Sequence, residues 1–267
     1  MFVSGCNLAG MKATDVVQST MPIQGIAKID LATHNGSVKI IGENRQEIEI
    51  IARRTAWGNT VEQAEDRLGE IAIVKEVSDG TLSIQAPKPG LYNSSVAFDI
   101  KVPMLMDIAV DTSNGSITIL NASVAAADTS NGTVTIEGPT SEIDVDTSNG
   151  RINLDATVAA RVKAKTSNGR ITWRGPLLPG KHQLGSSNGS IYVTLVGTPA
   201  NISGSTSNGS VTLGGVKKRG SQSGVVGGEM GTDQPNLSIS TSNGSVTVTH
   251  EPLQLSKESP TAELETI

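Results

Sequence analysis

Aromatic residues are almost missing from this chain: 2 Phe, 2 Trp and 2 Tyr in 267 residues, with 36% of positions apolar. Large side chains therefore cannot fill a wide globular interior, and a narrow, regular core is implied. Cysteine is nearly absent too. Cys6 and three separated histidines, His34, His182 and His250, exclude a disulfide framework and give no spacing suited to a zinc cluster or a Cys-His nucleophile. No stretch of 18 apolar residues occurs, so no membrane-spanning helix is expected. Positive charge is not in excess either. With 21 basic and 26 acidic residues the net charge is −5, which removes a general attraction to phosphate backbones and anionic lipid. Nucleic acid is not an expected partner, and neither a cofactor nor a resident metal is expected.

What the chain does have is glycine, 29 residues of it, and much of that glycine sits in a repeat. HNGSVKI at His34 is followed by TSNGSITI at Thr112, TSNGTVTI at Thr129, TSNGRINL at Thr147 and TSNGRITW at Thr166. SSNGSIYV at Ser186, TSNGSVTL at Thr206 and TSNGSVTV at Thr241 complete the set. From Asn114 the asparagines Asn131, Asn149, Asn168, Asn188, Asn208 and Asn243 follow at spacings of 17, 18, 19, 20, 20 and 35. A unit of about 19 residues is too short to bury its own apolar face, so copies must stack on one another.

Residues alternate on both sides of each Asn-Gly, as in Ile143-Asp144-Val145-Asp146-Thr147 and Ser116-Ile117-Thr118-Ile119, so both halves are strands. Asn-Gly between strands also suits a two-residue hairpin. A period that drifts by single residues fits corner loops better than paired hairpin registers. The expected fold is therefore all-β: a single-chain β-solenoid of about 19-residue coils, with Asn-Gly at a corner and each strand parallel to its equivalent one coil away. Its inward rows are Ile117, Val134, Ile152, Ile171, Ile191, Val211, Val246 and, next to them, Ile119, Ile136, Leu154, Trp173, Val193, Leu213, Val248. The Thr of each motif shares the inward parity, and the seven asparagines from Asn114 to Asn243 form a structural turn ladder of stacked amides.

The remaining segments divide the chain. Residues 1–24 read as a tether, 25–106 as a first coil and cap region, 107–250 as the repeats with a mobile insertion at 217–236, and 251–267 as a disordered tail. In the cap, Thr60-Val61-Glu62-Gln63 has capping-box spacing and starts a short helix. Strands are expected from Glu70 to Val77 and from Thr81 to Gln85.

On the outward side, Asp111, Asp128 and Asp146 stack on consecutive coils and are followed by Lys165. Adjacent like charges repel. The column reads as solvated and partly paired charge, with Asp144 and Asp146 facing Lys163 and Lys165, or as a cation or ligand face using oxygen ligands. Asp128, Asp146, Lys165 and Arg151 also offer the carboxylate and cation chemistry of a carbohydrate-active β-helix. An outward file of Thr118, Thr135, Thr172, Thr212 and Thr247, interrupted by Asn153 and Tyr192, is explained by β propensity. Trp57 and Trp173 read as cap and core residues, and His34 as an exposed turn residue.

The S-N-G-x-[IV]-x-[ILVW] units, with the helical segment and Ala97-Phe98-Asp99-Ile100-Lys101-Val102-Pro103 before them, resemble the bacterial putative-adhesin family of β-strand-repeat proteins over about residues 25–250. That resemblance implies an envelope-associated β-solenoid without a catalytic motif to transfer. Val3-Ser4-Gly5-Cys6 resembles a bacterial lipoprotein signal, which implies lipidation of Cys6 and attachment to the periplasmic or outer face of a membrane. Without that signal a cytoplasmic location is expected. The function expected is non-enzymatic, a binding, adhesin-like or scaffolding module for an envelope or surface polymer or protein. The alternative is a carbohydrate-active enzyme on the outward Asp/Lys/Arg face.

Overall fold

The computed structural model describes residues 11–86, 93–229 and 233–253. Cys6 and residues 254–267 of the tail lie outside the described residues. The described residues begin with β1 (Met11–Pro22), β2 (Lys28–Asn35), β3 (Val38–Glu43), β4 (Glu47–Gly58) and α1 (Val61–Glu70). Next come β5 (Val74–Ser78), β6 (Thr81–Gln85), β7 (Ser94–Pro103), β8 (Asp107–Asn114), β9 (Ile117–Leu120), β10 (Val124–Asn131) and β11 (Val134–Gly138). β12 (Glu142–Thr147), β13 (Ile152–Ala156), β14 (Arg161–Thr166), β15 (Ile171–Gly175), β16 (Gly180–Ser186) and β17 (Ile191–Val196) continue the repeats. β18 (Ala200–Leu213), β19 (Val216–Val226), β20 (Pro235–Thr241) and β21 (Val246–Glu251) are the last elements among the described residues.

The fold is a β-solenoid. Strands that precede the Asn-Gly corners form one stack, in the spatial order β6, β2, β8, β10, β12, β14, β16, β20, β18, and every neighbouring pair in it is parallel. Strands that follow the corners form a second stack, β7, β3, β9, β11, β13, β15, β17, β21, β18, also parallel throughout. Antiparallel pairs occur at the two ends, β1 with β4, β4 with β7, β5 with β6, and β18 with β19. A pile of hairpins is therefore ruled out along the body. The core lies between the stacks, with Ile117, Val134, Ile152, Ile171, Ile191, Val246 and Val211 all buried in one row. Trp173 occupies the adjacent row at full burial.

The structure corrects the sequence-based layout in three places. First, coils do not stack in chain order at either end. The last repeat, β20 and β21, lies between the coil of β16 and β17 and the coil of β18. Val246, not Val211, follows Ile191. The first coil, β2 and β3, likewise sits between β8 and β9 on one side and β6 and β7 on the other. Second, residues 11–22 of the expected tether form β1, a strand along β4. Third, much of the insertion expected to be mobile is β19, which turns back on β18. The end strands share a physical reason. A parallel stack ends in a row of unpaired backbone groups, and an antiparallel strand returned from the chain itself satisfies them. The charged Lys217, Lys218 and Arg219 on β19 then discourage further edge pairing.

The cap is built from local chemistry. Thr60 Oγ1 accepts the Gln63 N–H at 3.1 Å and Gln63 Oε1 accepts the N–H of Asn59, the residue before the cap, at 2.7 Å, a variant of the capping box. α1 runs through Glu70, so the following strand starts at Val74 instead of Glu70. Arg54 of β4 ties the cap together through Asp15 of β1 and the Ile71 carbonyl, and the Asp15 carboxylate holds its guanidinium pKa above the ordinary value.

Candidate binding groove

Three residues of the Thr-Ser-Asn-Gly corner, Thr, Asn and Gly, hold the coils together. At most corners the Thr or Ser hydroxyl is buried and donates to a glycine carbonyl of the neighbouring coil: Thr129 to Gly115 at 3.2 Å, Thr166 to Gly150 at 3.1 Å, Ser186 to Gly169 at 3.0 Å and Thr241 to Gly189 at 2.9 Å, with the buried Thr147 hydroxyl the exception that has no partner among the described residues. Asn side chains form an unbroken amide ladder. Asn208 donates to Asn243, Asn243 to Asn188, Asn188 to Asn168, Asn168 to Asn149, Asn149 to Asn131, Asn131 to Asn114 and Asn114 to Asn35, all at 2.7–3.0 Å. Asn35 ends the run on the Ser94 carbonyl at 3.2 Å. Donors and acceptors all point the same way, an arrangement in which each amide polarises the next. Glycine follows because nothing larger fits. A Cβ on Gly150 or Gly169 would lie 1.7 Å from the carbonyl oxygen of the glycine one coil away. Steric closeness, and not a left-handed backbone, selects glycine here.

This corner fixes which side chains face out along the first stack. One outward row reads Asp111, Asp128, Asp146, Lys165 and continues into Gly185, Ser240 and Ser205. The row beside it reads Asp144, Lys163, Gln183, Ser238, Ser203 and, on β19, Ser223. A third pairs Glu142 with Arg161 and, further along, Lys181 with Asn236 and Asn201. The flank thus changes from acidic, to basic, to small hydroxyl and amide groups.

Where the side chains shorten, the surface is concave. A groove of about 760 Å³ spans β12, β14, β16, β20, β18 and β19, with Arg161, Lys163 and Lys181 toward one side and Asn201, Ser203, Ser223 and Ser238 along the other. Val225, 37% exposed, and Gly224 of β19 supply part of its wall. A second depression of about 540 Å³ adjoins it, lined by Asp146, Lys165, Gln183 and the serines around Ser205 and Ser240. Lys163 is held by Asp144, at 2.7 and 3.0 Å to its two oxygens, and that carboxylate raises the ammonium pKa. Arg161, Lys165 and Lys181 have no ion-pair partner among the described residues.

Beneath the groove, His182 occupies an inward position and is 4% exposed. Its Nδ1 accepts the Val162 N–H at 3.2 Å, so the proton sits on Nε2, which donates to the Leu178 carbonyl at 2.7 Å. Burial pushes its pKa down, the Leu178 carbonyl opposes that shift, and Arg161 adds to it. This polar core residue fixes the backbone under Arg161 and Lys181.

The acidic column lies apart from the groove. Asp128 stands between Asp111 and Asp146, and its pKa is raised by partial desolvation first and by Asp146, Asp111 and Asp144 next, with Lys163 opposing. Among the described residues no group of three or more His, Cys, Asp or Glu is arranged to hold a metal. Nor do Asp128, Asp146, Lys165 and Arg151 share a cavity: Asp146 and Lys165 line the smaller depression, Asp128 and Arg151 neither. Trp57 is 36% exposed on the cap, and His34 Nδ1 lies 3.0 Å from Ser113 Oγ at the corner. Arg170 covers the ring of Tyr192 on the second stack, 5.2 Å from its centroid.

Sequence reasoning did not assemble the groove. The outward parity of Lys163, Lys181, Gln183 and Ser203 was available from the alternation, but bringing Ser238 next to Gln183 requires the reversed coil order, and Ser223 requires the returning β19.

A family model, Toastrack DUF4097, matches residues 65–249. The chain belongs to that family. The Toastrack match begins inside α1 and ends inside β21, so β1 to β4 precede it in sequence while lying in the same continuous sheet. Among solved structures, this Toastrack chain is similar to one described as a putative cell adhesion protein from Clostridium sporogenes, with 14% identity, a TM-score of 0.42, and coverage of 90% of this chain and 100% of that one. It is also similar to one described as a putative adhesin from Bacteroides fragilis, with 16% identity, a TM-score of 0.43, and coverage of 89% and 97%. No curated protein matches it. Among the described residues no helix is long and apolar enough to cross a membrane.

Proposed function

We propose that this Toastrack protein is a non-enzymatic, adhesin-like binding module of the cell envelope, anchored by acylation of Cys6 and using the groove across β12 to β19 as its contact surface. The observation that carries the reading is the groove itself: a 760 Å³ concavity in which Arg161 and Lys181 have no ion-pair partner among the described residues and short polar side chains stand beside apolar ones, on a scaffold whose other conspicuous motif is consumed by the corner. A pocket with convergent polar groups is the default site for a ligand. Of the four catalytic candidates only Asp146 and Lys165 line a depression, and Asp128 and Arg151 lie outside both, so the set does not converge on one cavity, which favours binding over catalysis.

The test is sedimentation of the purified, labelled full-length protein with envelope fragments of its host. Saturable binding should be lost in Ser238→Tyr, which fills the floor, and kept in Thr135→Tyr on the opposite flank. Equal binding by wild type and Ser238→Tyr overturns the role of the groove. The anchor is tested separately by labelling with a clickable fatty acid, which should disappear in Cys6→Ala; label that persists refutes it.

A further inference from the structure

From the chemistry of this groove, and resting on the binding reading above, we infer that its ligand is a linear acidic polysaccharide carrying carboxylates, laid along the solenoid axis. Three observations converge. The first is charge: the groove carries Arg161, Lys163 and Lys181 against Glu142 and Asp144, and because Asp144 is taken up by Lys163, Arg161 and Lys181 stand on neighbouring strands without ion-pair or side-chain hydrogen-bond partners among the described residues, a local cationic excess in a protein whose net charge is −5. A guanidinium and an ammonium left open in a concavity suit carboxylate groups, the guanidinium through a bidentate pair. The second is the floor. Ser203, Ser238 and Gln183 each carry a donor and an acceptor, the complement of a ligand dense in hydroxyls, while the Asn236 amide is already bonded to Asn201 and the Gln234 carbonyl. Among the described residues no Phe, Trp or Tyr lines the groove, so ring stacking does not select the ligand, and charge with hydrogen bonding does. The third is spacing. Equivalent side chains recur once per strand, about 4.8 Å apart along the axis. A pyranose unit in an extended chain advances by nearly this distance, so successive sugars stay in step with successive strands. An extended peptide advances about 3.3 Å per residue and drifts out of register within a few residues.

The reversed coil order gives the site its shape. The coil of β20 places Ser238 beside Gln183, and β19 adds Ser223 and Val225 as the wall at the end of the axis.

The experiment measures binding of the full-length protein to polygalacturonate, with amylose as the neutral polymer and poly-L-glutamate as the acidic peptide. Polygalacturonate is expected to bind, with the Arg161→Gln/Lys181→Gln variant about tenfold weaker, a loss of about 1.4 kcal/mol. Raising salt from about 0.05 M to about 0.5 M is expected to weaken binding in the same direction, because screening shortens the reach of exposed charge. Arg151→Gln, on the other flank, should stay within twofold of wild type. Amylose binding as tightly as polygalacturonate overturns the role of charge. Poly-L-glutamate binding as tightly overturns the sugar class and points to an acidic protein partner. Polygalacturonate failing to bind while Ser238→Tyr still abolishes envelope sedimentation overturns the acidic polysaccharide and leaves the binding module standing. Unchanged sedimentation of Ser238→Tyr removes both.

Discussion

Replacing Asp128 by Asn should stabilise this protein at neutral pH. Asp128 is in register with Asp111 on one side and Asp146 on the other, on parallel strands about 4.8 Å apart. Two unit charges about 5 Å apart in water repel by about 0.8 kcal/mol, so two neighbours give about 1.6 kcal/mol. A Debye length of about 8 Å at physiological salt reduces this to about 0.9 kcal/mol. Lys163 opposes the repulsion, so a gain of about 0.5–1 kcal/mol is expected, within the range of cross-strand charge pairs. The sign with pH follows from the raised folded-state pKa. Both states are charged at neutral pH, and the folded state carries the full cost there. As pH falls through the folded-state pKa toward 3.8, the native carboxylate protonates first and the cost disappears. Urea unfolding of wild type and Asp128→Asn should show the variant ahead at pH 7, the gap closing below about pH 4, and the gap shrinking at about 1 M salt, where the Debye length is about 3 Å. Asp144→Asn is the contrast. It removes the partner of Lys163 and should be neutral or cost up to about 1 kcal/mol, as exposed pairs do. A variant Asp128→Asn less stable than wild type at pH 7, with Ca²⁺ stabilising wild type alone, would refute the repulsion and show that the column binds a cation.

Three further outcomes follow from the same geometry. His182, buried as the neutral Nε2–H tautomer with a lowered pKa, contributes stability that is intact above its unfolded pKa near 6.5 and is lost as pH falls toward the folded value, by up to about 1.4 kcal/mol per pH unit. Unfolding titrations should show that slope vanish in His182→Leu, which also leaves the Val162 N–H unpaired at a cost of about 1–3 kcal/mol; an unchanged slope removes His182 as its source. Gly169→Ala drives a Cβ to within 1.7 Å of the Gly150 carbonyl oxygen and should cost more than about 3 kcal/mol, whereas Gly69→Ala, in open space on α1, should gain about 0.5–1 kcal/mol; comparable thermal shifts for the two would refute the contact argument. Asn149→Ala breaks two ladder bonds and Asn208→Ala one, so the interior variant should lose about 1–2 kcal/mol and the terminal one about half of that, read by chemical denaturation; equal losses would show that the ladder does not act bond by bond.

How much of this was legible in the sequence depends on the range of the interaction. The alternation in Ile143-Asp144-Val145 encodes inward and outward faces, and buried Val145 beside exposed Asp144 and Asp146 follows from strand geometry alone. The family resemblance drawn from the S-N-G units holds for the same reason, since the corner is local chemistry repeated eight times. Pairing between coils is a different matter. Thr206-Ser207-Asn208-Gly209 and Thr241-Ser242-Asn243-Gly244 are chemically the same corner, so the sequence offers no reason for Asn243, and not Asn208, to bond Asn188. That order is set by β19, whose pairing with β18 closes a parallel edge. Lys217, Lys218 and Arg219 mark it as an edge strand only once its partner is known.

The same degeneracy explains why the groove sits where it does. Identical corners stack equally well in either order, so they leave the outward residues free to vary: acids on β8, β10 and β12, cations on β14 and β16, serines and asparagines on β20 and β18. Large outward side chains along a regular stack give a flat or convex flank. A run of short ones next to Arg161 and Lys181 gives a concave one. Concavity therefore arises from a change of side-chain length along the axis, with no interruption of the ladder beneath. A replacement such as Ser238→Tyr alters the contact surface while the Asn and Gly that hold the coils remain in place, so binding and stability are separable by mutation in this fold.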